Sequence, residues 1–458
     1  MSFYDNHPKF YISADCIIFG YFDNSLHVLI RPREMEPCKG QLSLMGGFVD
    51  DDESVDHAAA RIVKELTGLQ DFYIRQVGAF GNVDRDPGER VVSISYYVLI
   101  KAAEYSGEEG WKALCESDDV DLVYICTPWL LHTPVSLYAM EHGKHVACEV
   151  PSMMNVRDCW DIINTCEKTR RHFMMLENCC YDFYEMTALN MAQKGVFGEV
   201  YHVEGAYIHN LDPFWKAYQG NWRLEYNQKF RGDNYPTHGI GPVCQVLNIH
   251  RGDRMNVLVA MDTKPLHGAE VARENMGVEE FANGDHTVSL IRTEKGHQIE
   301  IHHNVYAARP YSRMYQLTGD KGFANKYPVE GFSIEREALP EAIRDKEVYS
   351  TVTTHELSTP EMMAAFDQDF KHPVIAQNEE MAAVVGGHGG MDYIMDARLI
   401  YCLNNGLPLD MDVYDAAEWS CIRELSEVSI KNGSMPVEVP DFTRGGWNVL
   451  DGVHHAFK

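Results

Sequence analysis

The stretch 120–178 most constrains what this chain can fold into. It alternates three short apolar runs with two helical patterns. The apolar runs are 121–126, 145–148 and 172–176, and the helical patterns cover about 134–142 and 156–170. Continuous apolar runs are typical of parallel strands, because helices cover both faces of such a sheet. The alternation therefore predicts a doubly wound α/β sheet.

Polar residues follow each apolar run at the point where the strand would end. Thr127 and His132 follow the first run, Glu149 follows the second, and Glu177 and Asn178 follow the third. Ligands of such sheets bind just beyond the carboxyl ends of the strands. Ordinary helix caps and loop residues would explain any one of these polar groups, but the three groups together predict a nucleotide-binding cleft. The glycine fingerprint G-x-G-x-x-G, which usually cradles a dinucleotide, does not occur upstream.

Bulk composition excludes several classes of partner. The 458 residues carry a formal net charge of −28, which disfavours binding to nucleic acid or to an anionic membrane. No apolar run has the length of a membrane span, and the first residues lack a signal-peptide pattern. Most of the twelve cysteines stand inside apolar runs, as reduced core residues do, so we expect a cytoplasmic protein. The length predicts two or three domains.

Residues 1–104 form a different module, with a predicted hairpin at 10–30, a helix at about 54–66 and strands at 72–77 and 91–100. This layout resembles a Nudix domain. The residues that match the Nudix signature are Gly47, Glu53, Arg61, Val63, Glu65, Gly68 and Leu69. Ile62 and Leu66 replace two of its glutamates. Because Glu65 stands nearly alone, with Arg61 as an expected ion-pair partner, we predict no magnesium site and no hydrolysis.

The rest of this module leaves its role open. The segment 81–89 looks like the ligand-sensing domain of bacterial sugar regulators, and a Nudix fold kept only as a scaffold is the alternative. Nudix domains continue with a further strand and helix after a run like 95–100. Here the polar stretch 101–110 follows instead, so the module ends early at this boundary.

From Trp111 onward the chain resembles the NAD-dependent α-N-acetylgalactosaminidases of glycoside hydrolase family 109, within the glucose–fructose oxidoreductase-like superfamily. The motifs that carry the resemblance are TPWLLH at 127–132, MEHGK at 140–144, ENCCY at 177–181, GAYIH at 205–209, WR at 222–223, YPTH at 235–238, RPY at 309–311 and GGHGGMDY at 386–393. The resemblance implies a Rossmann-type domain, here partial, at 105–180. It also implies a substrate domain at 181–458 with an open antiparallel sheet and C-terminal helices.

The resemblance also implies the site residues and NAD as cofactor, without a metal. Residues matched to NAD contacts are Trp129, Leu130, Leu131, His132, Glu149, Val150 and Asn178. Residues matched to sugar contacts are Tyr207, Arg223, Tyr235, Pro236, Thr237, His238 and Tyr311. The catalytic candidates are Tyr207, His209, Tyr235, His238 and Tyr311. The exposed face of the sheet is expected to pair copies of the chain in a homo-oligomer.

The mechanism that the resemblance implies is oxidation of the sugar C3 hydroxyl by NAD⁺, which acidifies the C2 proton. Elimination of the aglycone, addition of water and re-reduction of C3 then complete a cycle without net redox change. His238 and Tyr311 are assigned to the proton transfers. Superfamily dehydrogenases carry Glu-Lys-Pro where this chain has Val150 after Glu149, and valine cannot assist hydride transfer. This favours the glycosidase branch.

Family members begin with a strand, a glycine-rich turn, a helix and a strand ending in Asp, none of which precedes Trp111 here. Three hypotheses follow. The chain is a glycosidase by descent whose NAD binding is weakened or abolished. Alternatively, it is an inactive fusion of two truncated genes, or a sugar-sensing binding protein in which the Nudix-like part recognises the ligand. Loss of the first βαβ unit also predicts exposed apolar surface.

Overall fold

The computed structural model of the chain describes residues 7–22, 25–33, 38–67, 72–83, 85–86, 88–99, 107–215 and 221–458. The chain divides into two compact units, Met1–Val120 and Asp121–Lys458. This division follows Val120, and the domain boundaries after residues 104 and 180 stay predictions. Residues 101–106 of the predicted boundary stretch 101–110, and the signature matches at Gly68 and Leu69, lie outside the described residues.

The first unit is a small mixed sheet with one long helix. Its strands are β1 (Tyr11–Phe22), β2 (Ser25–Leu29), β3 (Arg31–Pro32), β4 (Leu42–Ser43), β5 (Met45–Phe48), β6 (Tyr73–Phe80) and β7 (Val91–Leu99), and its helices are α1 (Val55–Thr67) and α2 (Gly107–Glu116). The main sheet has the order β2-β1-β7-β6, with β5 beside β1. Strands β1 and β2 are antiparallel, as the predicted hairpin requires, and β1 and β7 are parallel.

Helix α1 covers one face of this sheet. Alternate residues of β1, namely Ala14, Cys16 and Ile18, are fully buried in one core cluster with Ala59 and Ile62 of the helix. Alternation is expected, because successive side chains of a strand point to opposite faces. The residues between them, such as Ser13 and Asp15, therefore belong to the other face of the sheet.

The carboxylates of the Nudix-like signature are engaged by one arginine. The Arg61 guanidinium donates hydrogen bonds to both oxygens of Glu53, and its Nη1 lies 3.3 Å from Glu65 Oε2, so the predicted ion pair is confirmed. Arg61 also lies 3.4 Å from Asp50. Its hydrogen bonds lower the pKa of Glu53 to about 2. The negative charges of Glu53 and Glu65 are therefore already paired with the positive charge of Arg61.

The second unit begins with the strand–helix units that the apolar runs predicted. They are β8 (Leu122–Ile125), α3 (His132–Glu141), β9 (His145–Cys148), α4 (Val156–Thr169) and β10 (Phe173–Met175). The strands form a parallel sheet in the order β10-β9-β8. Helix α4 begins at Asn155, whose side chain accepts a hydrogen bond from the Asp158 N–H. The three strand ends therefore meet at one edge.

The remainder of the second unit is a large sheet flanked by helices. Its strands are β11 (Val200–Ile208), β12 (Met255–Asp262), β13 (Thr287–Thr293), β14 (Gln298–Asn304), β15 (Tyr315–Gly319), β16 (Gly322–Asn325), β17 (Gly331–Ile334) and β18 (Val437–Glu438). Its helices are α5 (Phe183–Gln193), α6 (Trp222–Lys229), α7 (Thr237–Val246), α8 (His267–Met276), α9 (Glu341–Arg344), α10 (Pro360–Asp369), α11 (Pro373–Val385), α12 (Met391–Asn405) and α13 (Val413–Lys431). None of the described helices is long and apolar enough to cross a lipid bilayer.

The expectation of a purely antiparallel sheet was wrong at one position. The sheet has the order β17-β16-β15-β11-β14-β13-β12-β18, and β11 pairs with β14 in parallel. Parallel neighbours need a long crossover connection, and the segment between these two strands contains α6, α7 and α8. All other strand pairs of this sheet are antiparallel.

Helix α7 lies directly on β11, because glycines occupy the point of closest approach. A Cβ at Gly205 would lie 2.0 Å from the Gly239 carbonyl oxygen, and a Cβ at Gly239 would lie 2.9 Å from the Ala206 nitrogen. Only glycine fits at both positions. This contact places His238, near the start of α7, beside Tyr207 of β11.

Candidate active site

A cavity of about 420 Å³ lies within the second unit, at the carboxyl ends of β9 and β10. Sequence-predicted residues that line it are Glu149, Val150, Asn178, Tyr207, His209, Tyr235, His238 and Tyr311. The structure thus brings together residues from both predicted groups, those matched to NAD and those matched to the sugar. A parallel-sheet edge is where such a cleft is expected.

Tyr207 is at the centre of the aromatic cluster in this cavity. Its ring centroid lies 5.1 Å from those of Tyr235 and His238 and 6.4 Å from that of Tyr311. The Tyr207 hydroxyl is 3.0 Å from His209 Nδ1, within hydrogen-bond distance. The five catalytic candidates therefore form one connected group of phenol and imidazole rings.

His238 is held by a carboxylate from the strand-end segment that follows β10. Its Nδ1 is 2.7 Å from Glu177 Oε1 and 3.2 Å from the Cys179 thiol. Glu177 is completely buried. Burial raises its pKa, but the His238 ring and the Cys179 N–H outweigh burial, so the pKa of Glu177 lies below its ordinary value. An ionised Glu177 makes Nδ1 the donor and leaves Nε2 with the free lone pair.

Arg223 and Trp129 form an aromatic and cationic wall behind Tyr235. The Arg223 guanidinium lies 4.5 Å from the Tyr235 ring centroid and 5.0 Å from that of Trp129. Trp129 stacks on Tyr235 at 5.6 Å. Trp129 and Arg223 are both buried. Neither lines the cavity, so the structure places both one layer behind it.

Pro236 and Thr237 precede His238 at the start of α7, and both are buried. The Thr237 hydroxyl is buried and has no hydrogen-bond partner among the described residues. Their predicted contact with a sugar is not seen in the cavity lining, and it stays a prediction. Pro236 and Thr237 form the start of α7, the helix that carries His238, and so help to fix the position of His238.

The residues matched to NAD divide into two sets. Glu149, Val150 and Asn178 line the cavity. Leu130 and Leu131 are 66% and 40% exposed and lie outside its lining. His132 is buried, and its two ring nitrogens lie 2.8 Å from the carbonyl oxygens of Pro151 and Thr127. His132 therefore joins the loops after β8 and β9, which is a positioning role in this structure.

Burial makes Glu149 an unusual carboxyl group. Burial, followed by the nearby charges of Glu177, Asp392 and Asp396, raises the pKa of Glu149 to about 7. A carboxyl group with this pKa exchanges protons near neutral pH, which suits acid–base chemistry.

Several cavity residues were not assigned a role from the sequence. Asp392 accepts a hydrogen bond from the Asn178 amide at 2.6 Å and lies 2.7 Å from His388 Nδ1. Arg313 donates to the Cys179 thiol at 2.8 Å. His388 and Asp392 belong to the GGHGGMDY motif and Asn178 was itself predicted, so the sequence showed the residues but not the contact between Asp392 and Asn178. Pairing across more than two hundred residues has no local pattern.

Glu177, Cys179 and His238 also bring three possible metal ligands within 4.8 Å of one another. The Arg313 guanidinium on the Cys179 sulfur disfavours a second cation there. Burial also raises the pKa of the Cys179 thiol well above its ordinary value, which opposes the thiolate that metals require. The expectation of a metal-free site stays a prediction.

Family comparisons cover most of the chain. Residues 181–449 match the model described as "Glycosyl hydrolase 109, C-terminal domain", and residues 81–177 match "Oxidoreductase family, NAD-binding Rossmann fold". "Glycosyl hydrolase family 109 protein 1" of Phocaeicola vulgatus is 58% identical over 359 residues, which cover 78% of this chain and 76% of that protein. Its namesake in Bacteroides thetaiotaomicron is 58% identical over 364 residues, covering 78% and 77%.

One solved structure supports the fold. An NAD binding oxidoreductase from Klebsiella pneumoniae matches with a TM-score of 0.54 at 16% identity, covering 76% of this chain and 85% of that one. At this identity the likeness shows the fold alone. It agrees with the parallel strand–helix units and the large mixed sheet of the second unit.

The residues present fit the nicotinamide end of NAD. Val150 and Leu176 provide an apolar wall of the cavity, and the Asn178 amide provides a polar group beside it. The pyrophosphate end is different. No glycine occurs in the turns 126–131, 149–155 or 177–182 that follow the three parallel strands. These three turns therefore offer no glycine-rich cradle for the pyrophosphate.

The match of the C-terminal model to more than half of the chain, together with relatives at 58% identity, settles the family. The Rossmann-type match assigns NAD as the cofactor. This chain belongs to glycosyl hydrolase family 109 and is an NAD-dependent glycoside hydrolase.

Proposed function

We propose that this chain hydrolyses terminal α-N-acetylgalactosaminides by an elimination mechanism. The observation that carries the proposal is the convergence of Tyr207, His238 and Tyr311 on one cavity that Asn178 also lines. When bound, NAD supplies the transient oxidation of the C3 hydroxyl and its later re-reduction. The protein groups must then bind the sugar, take the C2 proton and return protons to the product.

His238 is proposed to transfer a proton at the sugar ring. Glu177 holds Nδ1 and thereby orients the imidazole, which leaves Nε2 for the substrate. The buried Glu177 carboxylate stabilises the imidazolium that forms when Nε2 takes a proton. This arrangement requires no second catalytic carboxylate on the opposite side of the bond, unlike ordinary glycosidases.

The tyrosines are proposed to serve the remaining proton transfers. Burial raises the pKa of Tyr311 and of Tyr235 above the ordinary value for a phenol, so both are protonated donors at neutral pH. The Tyr207 hydroxyl lies 3.0 Å from His209 Nδ1, so we propose that His209 accepts the proton of this hydroxyl. Tyr311 is 40% exposed, and we propose that the aglycone leaves on its side of the cavity.

Val150 supports the glycosidase branch over net sugar dehydrogenation. It is 5% exposed and lines the cavity, so the position that carries lysine in superfamily dehydrogenases faces the site and holds no proton-transferring group. We propose that hydride leaves and returns to the same sugar in each turnover.

The proposal is tested with the full chain, NAD and p-nitrophenyl α-N-acetylgalactosaminide in D₂O. We expect release of p-nitrophenol with deuterium incorporated at C2 of the product and no accumulation of NADH. His238→Ala should lower the rate by a factor on the order of 10² or more. His202→Ala, on the opposite face of β11, is the matched control and should leave the rate unchanged. Hydrolysis without deuterium at C2 would rule out elimination.

We also propose that the first unit is a Nudix-like fold without hydrolytic activity. Support comes from the hairpin of β1 and β2, the covering helix α1 and the engagement of Glu53 and Glu65 by Arg61. A nucleoside diphosphate sugar incubated with the chain and Mg²⁺ should remain intact, as followed by phosphorus NMR.

Self-association through the large sheet is a further part of the proposal. Its uncovered face carries the apolar residues Val259, Met261 and Leu290 on neighbouring strands. Leu290 is 39% exposed and Met261 is 64% exposed. Sedimentation of the wild type and of Leu290→Glu tests this: a dimer that the substitution dissociates supports the proposal, and a monomeric wild type refutes it.

A further inference from the structure

The first unit contains a cavity of its own, of about 560 Å³. Ser13 and Asp15, on the face of β1 that points away from α1, form part of its wall, and Leu66 of α1 also lines it. Its lining includes Ser13, Asp15, Arg31, Arg33, Ser43 and Arg85. It contains no residue of the candidate active site, which belongs to the second unit.

The sheet face that carries Ser13 and Asp15 is polar although much of it is buried. In the parallel pair of β1 and β7, Ser13 is opposite Ser93 and Asp15 is opposite Ser95. Ser13, Ser93 and Ser95 are each at most 8% exposed. A face that served only packing would carry apolar residues, as the α1 side does with Ala14 and its neighbours. Ser93 and Ser95 do not line the cavity themselves, so the polar groups that this face offers to a ligand are those of Ser13 and Asp15.

Positive charge exceeds negative charge around the cavity. Three guanidinium groups, of Arg31, Arg33 and Arg85, share the lining with the carboxylates of Asp15 and Asp86. Asp15 is already bound, because it accepts from Arg85 Nη2 at 2.5 Å and from the Ser93 hydroxyl. The Arg33 Nε is buried and has no hydrogen-bond partner among the described residues. A buried donor of this kind calls for an acceptor.

We propose that this cavity binds a small anionic metabolite that carries hydroxyl groups, of the sugar phosphate or sugar acid class, and does not cleave it. The Arg33 guanidinium, with Arg31, would hold the anion, since its planar fork matches phosphate and carboxylate oxygens. Ser13 and Asp15 Oδ1, the carboxylate oxygen that the contacts with Arg85 and Ser93 do not use, would bind the hydroxyl groups. Cleavage is not expected, because the carboxylates of Glu53 and Glu65 are paired with Arg61. This site is independent of the glycosidase proposal.

The test is isothermal titration calorimetry on the full chain with glucose 6-phosphate, glucuronate and neutral glucose. We expect saturable binding of at least one anion, with glucose at least about tenfold weaker. Glucose 6-phosphate and glucuronate separate the phosphate class from the carboxylate class. Repeating the titration with His238→Ala separates this cavity from the active site, and that variant should bind as the wild type does.

Arg33→Gln should weaken anion binding at least about tenfold, because it removes the charge that faces the cavity. Arg75→Gln is the matched control, since Arg75 is an exposed arginine of β6 in the same unit. If circular dichroism shows that Arg33→Gln is unfolded, Arg31→Gln and Arg85→Gln replace it. Absence of saturable binding at millimolar anion, equal affinity of Arg33→Gln and wild type, or equal binding of glucose would each overturn the proposal.

Discussion

Glu177→Gln is the substitution that most directly tests the proposed role of His238. Glutamine has nearly the same shape, so the change removes the negative charge and leaves the packing around it. In the wild type Glu177 Oε1 is 2.7 Å from His238 Nδ1 and also accepts from the Cys179 N–H at 3.1 Å. The neutral amide can bond to Nδ1 either as donor or as acceptor. The ring then loses its fixed tautomer and the stabilisation of its charged form.

The expected magnitude follows from the burial of the pair. A hydrogen bond to a charged group in a dry site contributes about 1.5–3 kcal/mol, and Glu177 is 0% exposed, so the upper half of that range applies. A loss of about 2–3 kcal/mol in the transition state corresponds to a fall in kcat of roughly 30- to 150-fold. KM should change less than about twofold, because the carboxylate itself does not line the cavity.

The assay compares kcat, KM and the rate of deuterium exchange at C2 for the wild type and Glu177→Gln. Exchange at C2 should fall by the same factor as kcat, since His238 is proposed to act at that step. Two control variants test whether the effect is specific to the Glu177 carboxylate. Glu300→Gln removes a carboxylate from the uncovered face of the sheet, and Cys179→Ala removes the neutral thiol near the same ring nitrogen. We expect less than about threefold change in kcat for each.

A Glu177→Gln variant that keeps wild-type kcat and C2 exchange, with an unchanged melting temperature, would refute the reasoning. A rise in KM alone would also refute it, because the role would then be substrate binding. A fall in kcat with exchange unchanged would place His238 at a different step.

Three further predictions concern pH dependence and stability. The pKa of Glu149 is raised to about 7, so the folded chain binds this proton more tightly than the unfolded chain does. The free energy of unfolding therefore falls as pH rises from about 4.5 through 7. Glu149→Gln should remove this dependence and stabilise the chain at pH 8 by on the order of 2–3 kcal/mol, measured by urea unfolding. Gly205→Ala places a Cβ 2.0 Å from the Gly239 carbonyl and should lower the melting temperature and kcat together, because α7 is displaced. Arg398→Met leaves the buried Asp410 without its two hydrogen bonds of 2.7 Å and should destabilise the second unit by about 3–5 kcal/mol in the same assay; unchanged unfolding in any of these variants would contradict the corresponding argument.

Local patterns in the sequence were sufficient for the elements near the site. The apolar runs 121–126, 145–148 and 172–176 became β8, β9 and β10, because buried parallel strands and their covering helices leave a strong local pattern. Polar residues mark the points where these apolar runs end, and ligands bind beyond such strand ends, so Glu149 and Asn178 could be predicted at the cavity. The five catalytic candidates came from motif resemblance, and the structure places all five in one cluster.

The sequence did not predict how distant elements pack against one another. The parallel pairing of β11 and β14 depends on a crossover with three helices, and alternation along either strand is the same in a parallel or an antiparallel pair. His132 stands in a motif matched to cofactor contacts, yet its two short contacts to carbonyl oxygens make it a link between loops. Its residue type does not distinguish these roles.

The sequence alone determined the parallel strand–helix units, the polar strand ends and the set of tyrosines and histidines that its motifs carry. Only the tertiary structure decided that Glu177 orients His238, that Asp392 holds Asn178, and that Arg33 presents a buried donor to a separate cavity in the first unit. The physical reason is that hydrophobic periodicity is written into neighbouring residues. The partner of a buried polar atom is chosen by how distant elements pack, here by the approach of α7 to β11 at Gly205 and Gly239.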